Sequence, residues 1–98
     1  MSTWQTDESD QLFSAILSLL NKEEAERFFR DLLTESEIVE FSNRWKAAQM
    51  LDAKFSYSQI EKETGLSSAT VARIAKWLNG ENQGYRLILD RIHHTHTP

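Results

Sequence analysis

The chain has 98 residues, a net charge of −4, one proline, three glycines and no cysteine, which is enough for one small domain and short for two. Without cysteine there are no disulfides, thiolate metal ligands or thiol nucleophiles, and with no apolar window of about 18 residues a membrane span is excluded. The polar opening Ser2-Thr3-Trp4-Gln5-Thr6-Asp7 is unlike a secretion signal and points to a cytoplasmic protein. There is no glycine-rich phosphate loop, and the histidines are confined to the end of the chain, so no nucleophile and base can be paired and no enzyme is expected.

Residues 1–9 read as a flexible N-terminus. The first helix is predicted from about Asp10 to Leu20, where Leu12, Phe13, Ala15, Ile16, Leu17, Leu19 and Leu20 leave almost no polar face. Such a helix needs cover all round, and in so small a chain a second subunit is the natural source. Asn21-Lys22-Glu23-Glu24 opens a second helix with a cap and a glutamate three residues later, followed by the stripe Ala25, Phe28, Phe29, Leu32 and Leu33. Thr34-Glu35-Ser36-Glu37 repeats the device before a long third helix, Glu35 to Ala53, with Ile38, Phe41, Trp45, Ala48 and Leu51 on one side.

The stretch from Ser56 to Leu78 then reads as two short helices hinged at Gly65, the pattern of a helix-turn-helix. Gly65 supplies the positive φ that a sharp turn needs, Leu66 plugs the corner and Ser67 caps the second helix. Val71, Ile74 and Leu78 form its buried stripe. Ser68, Ala69, Ala72, Arg73 and Lys76 fall on the other face, where small side chains allow the backbone to approach the floor of a major groove. Glu61 stands where many such hairpins carry a small residue. A last helix is predicted from about Gln83 to Ile92, burying Leu87, Ile88 and Ile92, and residues 93–98 read as a polar tail. His93, His94 and His96 have a metal-like spacing there, but a terminal tail without a fixed backbone points to no metal site. Trp4, Trp45 and Trp77 read as core residues.

Charge is unevenly divided. Residues 1–40 carry three basic and ten acidic side chains, whereas residues 41–80 carry six basic and three acidic. An acidic body with a basic hairpin attracts phosphate locally, because carboxylates farther away than about 8 Å are screened at physiological salt.

Leu33-Thr34-Glu35-Ser36-Glu37, Asn43-Arg44, the capping Ser56, and Ala69-Thr70-Val71-Ala72-Arg73 together resemble the Trp repressor family, and within it the YerC/YecD-like branch. The likeness covers about residues 10–92. It implies an all-α fold of about six helices, one domain over 10–92 with the helix-turn-helix at 56–78, whose first helices interlock with those of a partner in an intertwined homodimer. Arg44 and Arg73 match two arginines that sandwich the indole of the corepressor in tryptophan-binding members. Ile74 stands where those members have a glycine and Trp77 where they have a serine, so an effector pocket of Arg44, Arg73, Ile74 and Trp77 is expected to be filled by Trp77 or Ile74. No tryptophan corepressor, and no other cofactor, is expected.

The function these readings imply is a sequence-specific DNA-binding transcription regulator, in the sense of a repressor, whose partners are double-stranded DNA and a second copy of the chain. Ser67 to Lys76 would lie in a major groove, with Ser68, Ala69, Thr70 and Ala72 meeting base edges; Arg73 and Lys76, with Lys46, Lys54 and Lys62 farther out, would hold phosphates. Two alternatives stand beside it: a protein-interaction adaptor using the same hairpin without DNA, and a regulator sensing a small metabolite other than tryptophan.

Overall fold

The structure is a computed structural model that describes residues 3–95. It contains six helices: α1 (Asp7–Leu17), α2 (Lys22–Leu32), α3 (Glu35–Asp52), α4 (Tyr57–Thr64), α5 (Ser68–Leu78) and α6 (Gly84–Thr95). No strand occurs among the described residues. The chain forms two compact units, residues 1–38 and 39–98, with the boundary inside α3.

In the first unit, local capping sets every helix start. Helix α1 begins at Asp7, three residues ahead of the expected start at Asp10 and inside the segment read as flexible. Thr6 Oγ1 accepts from the Ser9 N–H at 3.1 Å while Ser9 Oγ accepts from the Thr6 N–H at 2.9 Å, a reciprocal box with serine in the usual glutamate position. Trp4 meets Phe13 edge to face at 6.2 Å. The helix stops at Leu17 because Ser18 turns its hydroxyl onto the Ala15 carbonyl at 2.6 Å.

Asn21 Oδ1 accepts from the Glu24 N–H, and Glu24 reaches back to the Leu20 N–H, both at 2.9 Å. Thr34 and Glu37 close a full box at the head of α3, with Glu37 Oε1 accepting from the Thr34 N–H at 2.9 Å. That bond holds the Glu37 carboxyl below its ordinary pKa. Arg30 bridges the end of α2 to the start of α3, donating to the Leu33 carbonyl and to Glu35 Oε2 at 3.1 Å. No residue of α1 or α2 is buried in the single chain: Phe13 is 50 %, Leu17 84 % and Leu20 83 % exposed. Ala25, Phe29, Leu33 and Ile38 line an open groove of about 810 Å³ rimmed by Lys22 and Arg27.

The second unit is built around Ala47 and Ala48 of α3, Ile60 of α4, and Val71 and Ile74 of α5, all fully buried. The two alanines give this cluster only methyl groups from α3. The three larger side chains contribute about 1.5–3 kcal/mol each on burial. Trp45, Met50, Leu51, Leu66 and Tyr85 surround this cluster. Helix α3 ends in a left-handed Lys54, φ 70°, with the Phe55 N–H bonded back to the Met50 carbonyl.

Helix α6 runs on to Thr95, past the expected end at Ile92, and its phase differs from the sequence reading. Leu89 is buried, while Leu87, Ile88 and Ile92 are 54 %, 38 % and 40 % exposed. The run Leu87-Ile88-Leu89 satisfies several helical phases equally well, and the stacking of Tyr85 on Trp45 at 6.2 Å selects the one that turns Leu89 inward. His96 lies outside the described residues, as does the side chain of His94, so the tail spacing has no structural counterpart here.

Candidate nucleic-acid interface

Helices α4 and α5 form the hairpin that the sequence announces. Ser56 Oγ caps α4 through the Gln59 N–H at 3.2 Å, and α4 ends at Gly65 in the left-handed conformation, φ 74°, its N–H bonded to the Glu61 carbonyl at 2.8 Å. Thr64 completes the corner, a part the sequence reading passed over. Its hydroxyl, 7 % exposed as a residue, donates to the Ile60 carbonyl at 2.7 Å and accepts from the Leu66 N–H at 3.2 Å. A buried side chain thus satisfies the backbone groups that the bend leaves open. The signal was present in the order Thr-Gly-Leu, a hydroxyl next to the turn glycine.

Ser67 then caps α5, accepting from the Thr70 N–H at 3.2 Å. One side of α5 carries Val71, Ile74 and Leu78, at most 4 % exposed. The opposite side carries Ser68, Ala69, Ala72, Arg73 and Lys76, all exposed. Ser67 is exposed as well, whereas Thr70 is half-buried and its hydroxyl accepts from Ser67 Oγ at 3.0 Å. Thr70 therefore presents a held hydroxyl rather than a freely turning one. Glu61 is only half-buried, so a charged side chain is accommodated at that position of α4.

Of the five cations expected around the hairpin, Arg73, Lys76, Lys54 and Lys62 have no ion-pair partner among the described residues. Lys46 differs, lying 3.8 Å from Glu63 with both side chains half exposed, where such a pair is worth little and is readily exchanged.

The four residues expected at an effector pocket have different surroundings. Arg44 on α3 donates from Nη2 to Glu40 at 3.3 Å, and its Nε is buried with no hydrogen-bond partner among the described residues. Its charge acts on Tyr85, whose pKa burial nevertheless raises. Arg73 lies on the exposed face of α5. Ile74 belongs to the fully buried cluster and occupies the space between α5 and the alanines of α3. Trp77 is 44 % exposed and Trp4 57 %, so neither is a core residue of the single chain; Trp45 alone packs on the cluster.

This bend, with its caps and divided second helix, lies within a match of the Trp repressor protein family model to residues 7–93. The chain belongs to the Trp repressor family. It is 47 % identical over 90 residues to YerC, an uncharacterized protein of Bacillus subtilis (strain 168), covering 92 % of this chain and 86 % of that protein. The crystal structure of a TrpR-like protein from Eubacterium eligens ATCC 27750 superposes with a TM-score of 0.85 at 40 % identity, covering 91 % of this chain and 92 % of that one. A second crystal structure, of a protein provisionally described as a Trp repressor from Staphylococcus aureus, gives a TM-score of 0.84 at 41 % identity, covering 92 % and 90 %. Membership places the protein in a helix-turn-helix family that is regulatory rather than enzymatic. Among the described residues no helix is long and apolar enough to cross a membrane.

Proposed function

We propose that the protein is a sequence-specific DNA-binding transcription regulator, a repressor, that works as a homodimer and lays α5 of each subunit into a major groove. The observation that carries this reading is the division of α5: its inner stripe is fully committed to the core, while its outer face is small, hydroxylated and cationic, with Arg73 and Lys76 unpaired among the described residues. Ser67 opens the segment that lies in the groove, and Ser68, Ala69, Thr70 and Ala72 face base edges. Arg73 and Lys76, with Lys54 and Lys62 and with Lys46 by exchange from Glu63, hold phosphates. Two half-sites about 34 Å apart would follow from the dimer.

Dimer formation is supported by the exposed Phe13, Leu17 and Leu20 and by the apolar groove of the first unit, which leave much apolar surface for a single soluble chain. The effector-free reading is supported by Ile74, which fills its position from the core side.

Fluorescence anisotropy on duplex DNA across a salt series tests the proposal. A regulator of this kind loses affinity steeply with salt; Lys76→Ala weakens all sequences and reduces the salt slope by about one. Replacing Thr70 by leucine changes sequence preference by about 1–3 kcal/mol. No binding at low salt would instead favour a protein-interaction adaptor. A second reading, a sensor of a small metabolite other than tryptophan, is favoured by one observation, the buried Arg44 Nε that has no acceptor among the described residues. A thermal-shift screen of carboxylate-bearing metabolites tests it, since a ligand specific to the folded state raises the melting temperature.

A further inference from the structure

Helix α6 places two consecutive side chains of its first turn on α3. Tyr85 stacks on Trp45, ring centroids 6.2 Å apart and planes 23° from parallel, and Arg86 Nη1 lies 2.8 Å from Asp52 Oδ1. Trp45 and Asp52 sit two turns apart on one face of α3, so adjacent residues of α6 span about 10 Å of that helix. The side chains of Asp52 and Arg86 are 17 % and 32 % exposed, against 50 % for each member of the Lys46–Glu63 pair. Removing one partner therefore leaves a poorly hydrated charge.

Helix α6 also packs on α5. The link between them is held by Asn79 Nδ2 donating to the Ala75 carbonyl at 3.0 Å, by Gln83 Nε2 donating to the Gly80 carbonyl at 2.6 Å, and by a left-handed Gln83, φ 62°. Helix α5 thus rests on α3 and α4 through its apolar stripe and on α6 at a contact of its own.

We propose that the Asp52–Arg86 ion pair is a positioning contact for the reading helix: it seats α6 on the last turn of α3, and α6 in turn fixes the orientation in which α5 meets DNA. The inference rests on the DNA-binding reading above. Arg86 is engaged by Asp52 and, at 3.4 Å, by Asp90, so it acts through α6 and makes no phosphate contact.

The test is anisotropy on a selected duplex and a random duplex over several salt concentrations, with circular dichroism confirming the folded fraction at the assay temperature. Asp52→Asn and Arg86→Gln each weaken binding to both duplexes about fivefold, the scale of coupling through a packed element. Their salt slope stays that of the unchanged protein, because no phosphate contact is lost. The double variant binds no more weakly than either single one, since one interaction is broken in each case. Asp90→Asn, which leaves the Asp52 contact in place, changes binding less than twofold. If a single variant unfolds, the exchanged pair Asp52→Arg with Arg86→Asp must recover the affinity.

Folded single variants that bind as tightly as the unchanged protein overturn the inference, as does a folded exchanged pair that binds weakly. A reduced salt slope for Arg86→Gln also overturns it, by making Arg86 a phosphate contact. Failure of the unchanged protein to bind any duplex removes the DNA-binding reading itself, and this inference with it.

Discussion

Helices α1 and α5 are both eleven residues long and both rich in apolar side chains, yet they end in opposite conditions. In α5 the apolar residues form a single stripe, and Val71 and Ile74 are fully buried against α3 and α4. In α1, which stops before Leu19 and Leu20 and so keeps a polar face of Asp7, Gln11 and Ser14, they cover a broad arc, and none is buried. A stripe can be covered by neighbours close in sequence, and α4 is joined to α5 by a three-residue turn. The broad apolar arc of α1 finds no such cover among the thirty-odd residues of its own unit, where no residue of α1 or α2 is buried. The second unit thus covers the apolar stripe of its own hairpin, while the N-terminal helices present the surface on which the proposed dimer depends.

The sharpest way to break this comparison is to truncate one residue from each helix. Ile74→Ala should destabilise the protein by about 2–5 kcal/mol in denaturant melts, because it opens a cavity in a fully buried cluster. Leu17→Ala, at a side chain 84 % exposed, should change the stability of the isolated chain by less than about 0.5 kcal/mol. Sedimentation equilibrium on the Leu17→Asp variant then reads the dimer directly: a shift toward monomer is expected, and an unchanged assembly would show that α1 does not line the interface.

A smaller effect is expected at the bend. Gly65 has φ 74° and open space where a Cβ would stand, so Gly65→Ala costs only backbone strain, about 1–2 kcal/mol, and Gly65→Asn recovers part of it. Equal stability of the alanine and asparagine variants would argue that the left-handed turn is not retained.

The smallest effect belongs to the first unit and to pH. The Thr34 N–H donates to Glu37 and depresses its folded-state pKa. The contribution is present above the unfolded carboxylate pKa and is lost as pH falls through the lower, folded value. Acid melts of Glu37→Gln should therefore lose part of the decline in stability at low pH, and an identical acid limb would exclude this box as a contributor.

Where caps and turns are local, the chain was legible. Asn21, Thr34, Ser56, Gly65 and Ser67 each do in the structure what their type and spacing imply, because each acts on backbone groups within about four residues. The outward set on α5 followed from the same periodicity, with Thr70 more enclosed than expected. The early start of α1 was missed because its box uses Ser9 in place of glutamate. The phase of α6 was missed because three consecutive apolar residues carry no periodicity, and the contacts that choose among phases, Trp45 with Tyr85 and Asp52 with Arg86, join residues more than thirty apart. Thr64 gave a signal that is distinctive only once the bend is seen from inside.

The sequence by itself determined the helical class, the hinge at Gly65 and which face of α5 is polar, since helix periodicity, capping and glycine stereochemistry operate over a few residues. The tertiary structure alone decided which side of α6 turns inward, that Trp77 and Leu17 are exposed, and that Asp52 and Arg86 meet. Those outcomes depend on packing between segments distant along the chain, where several arrangements satisfy the local pattern equally and only the shared burial of side chains distinguishes them.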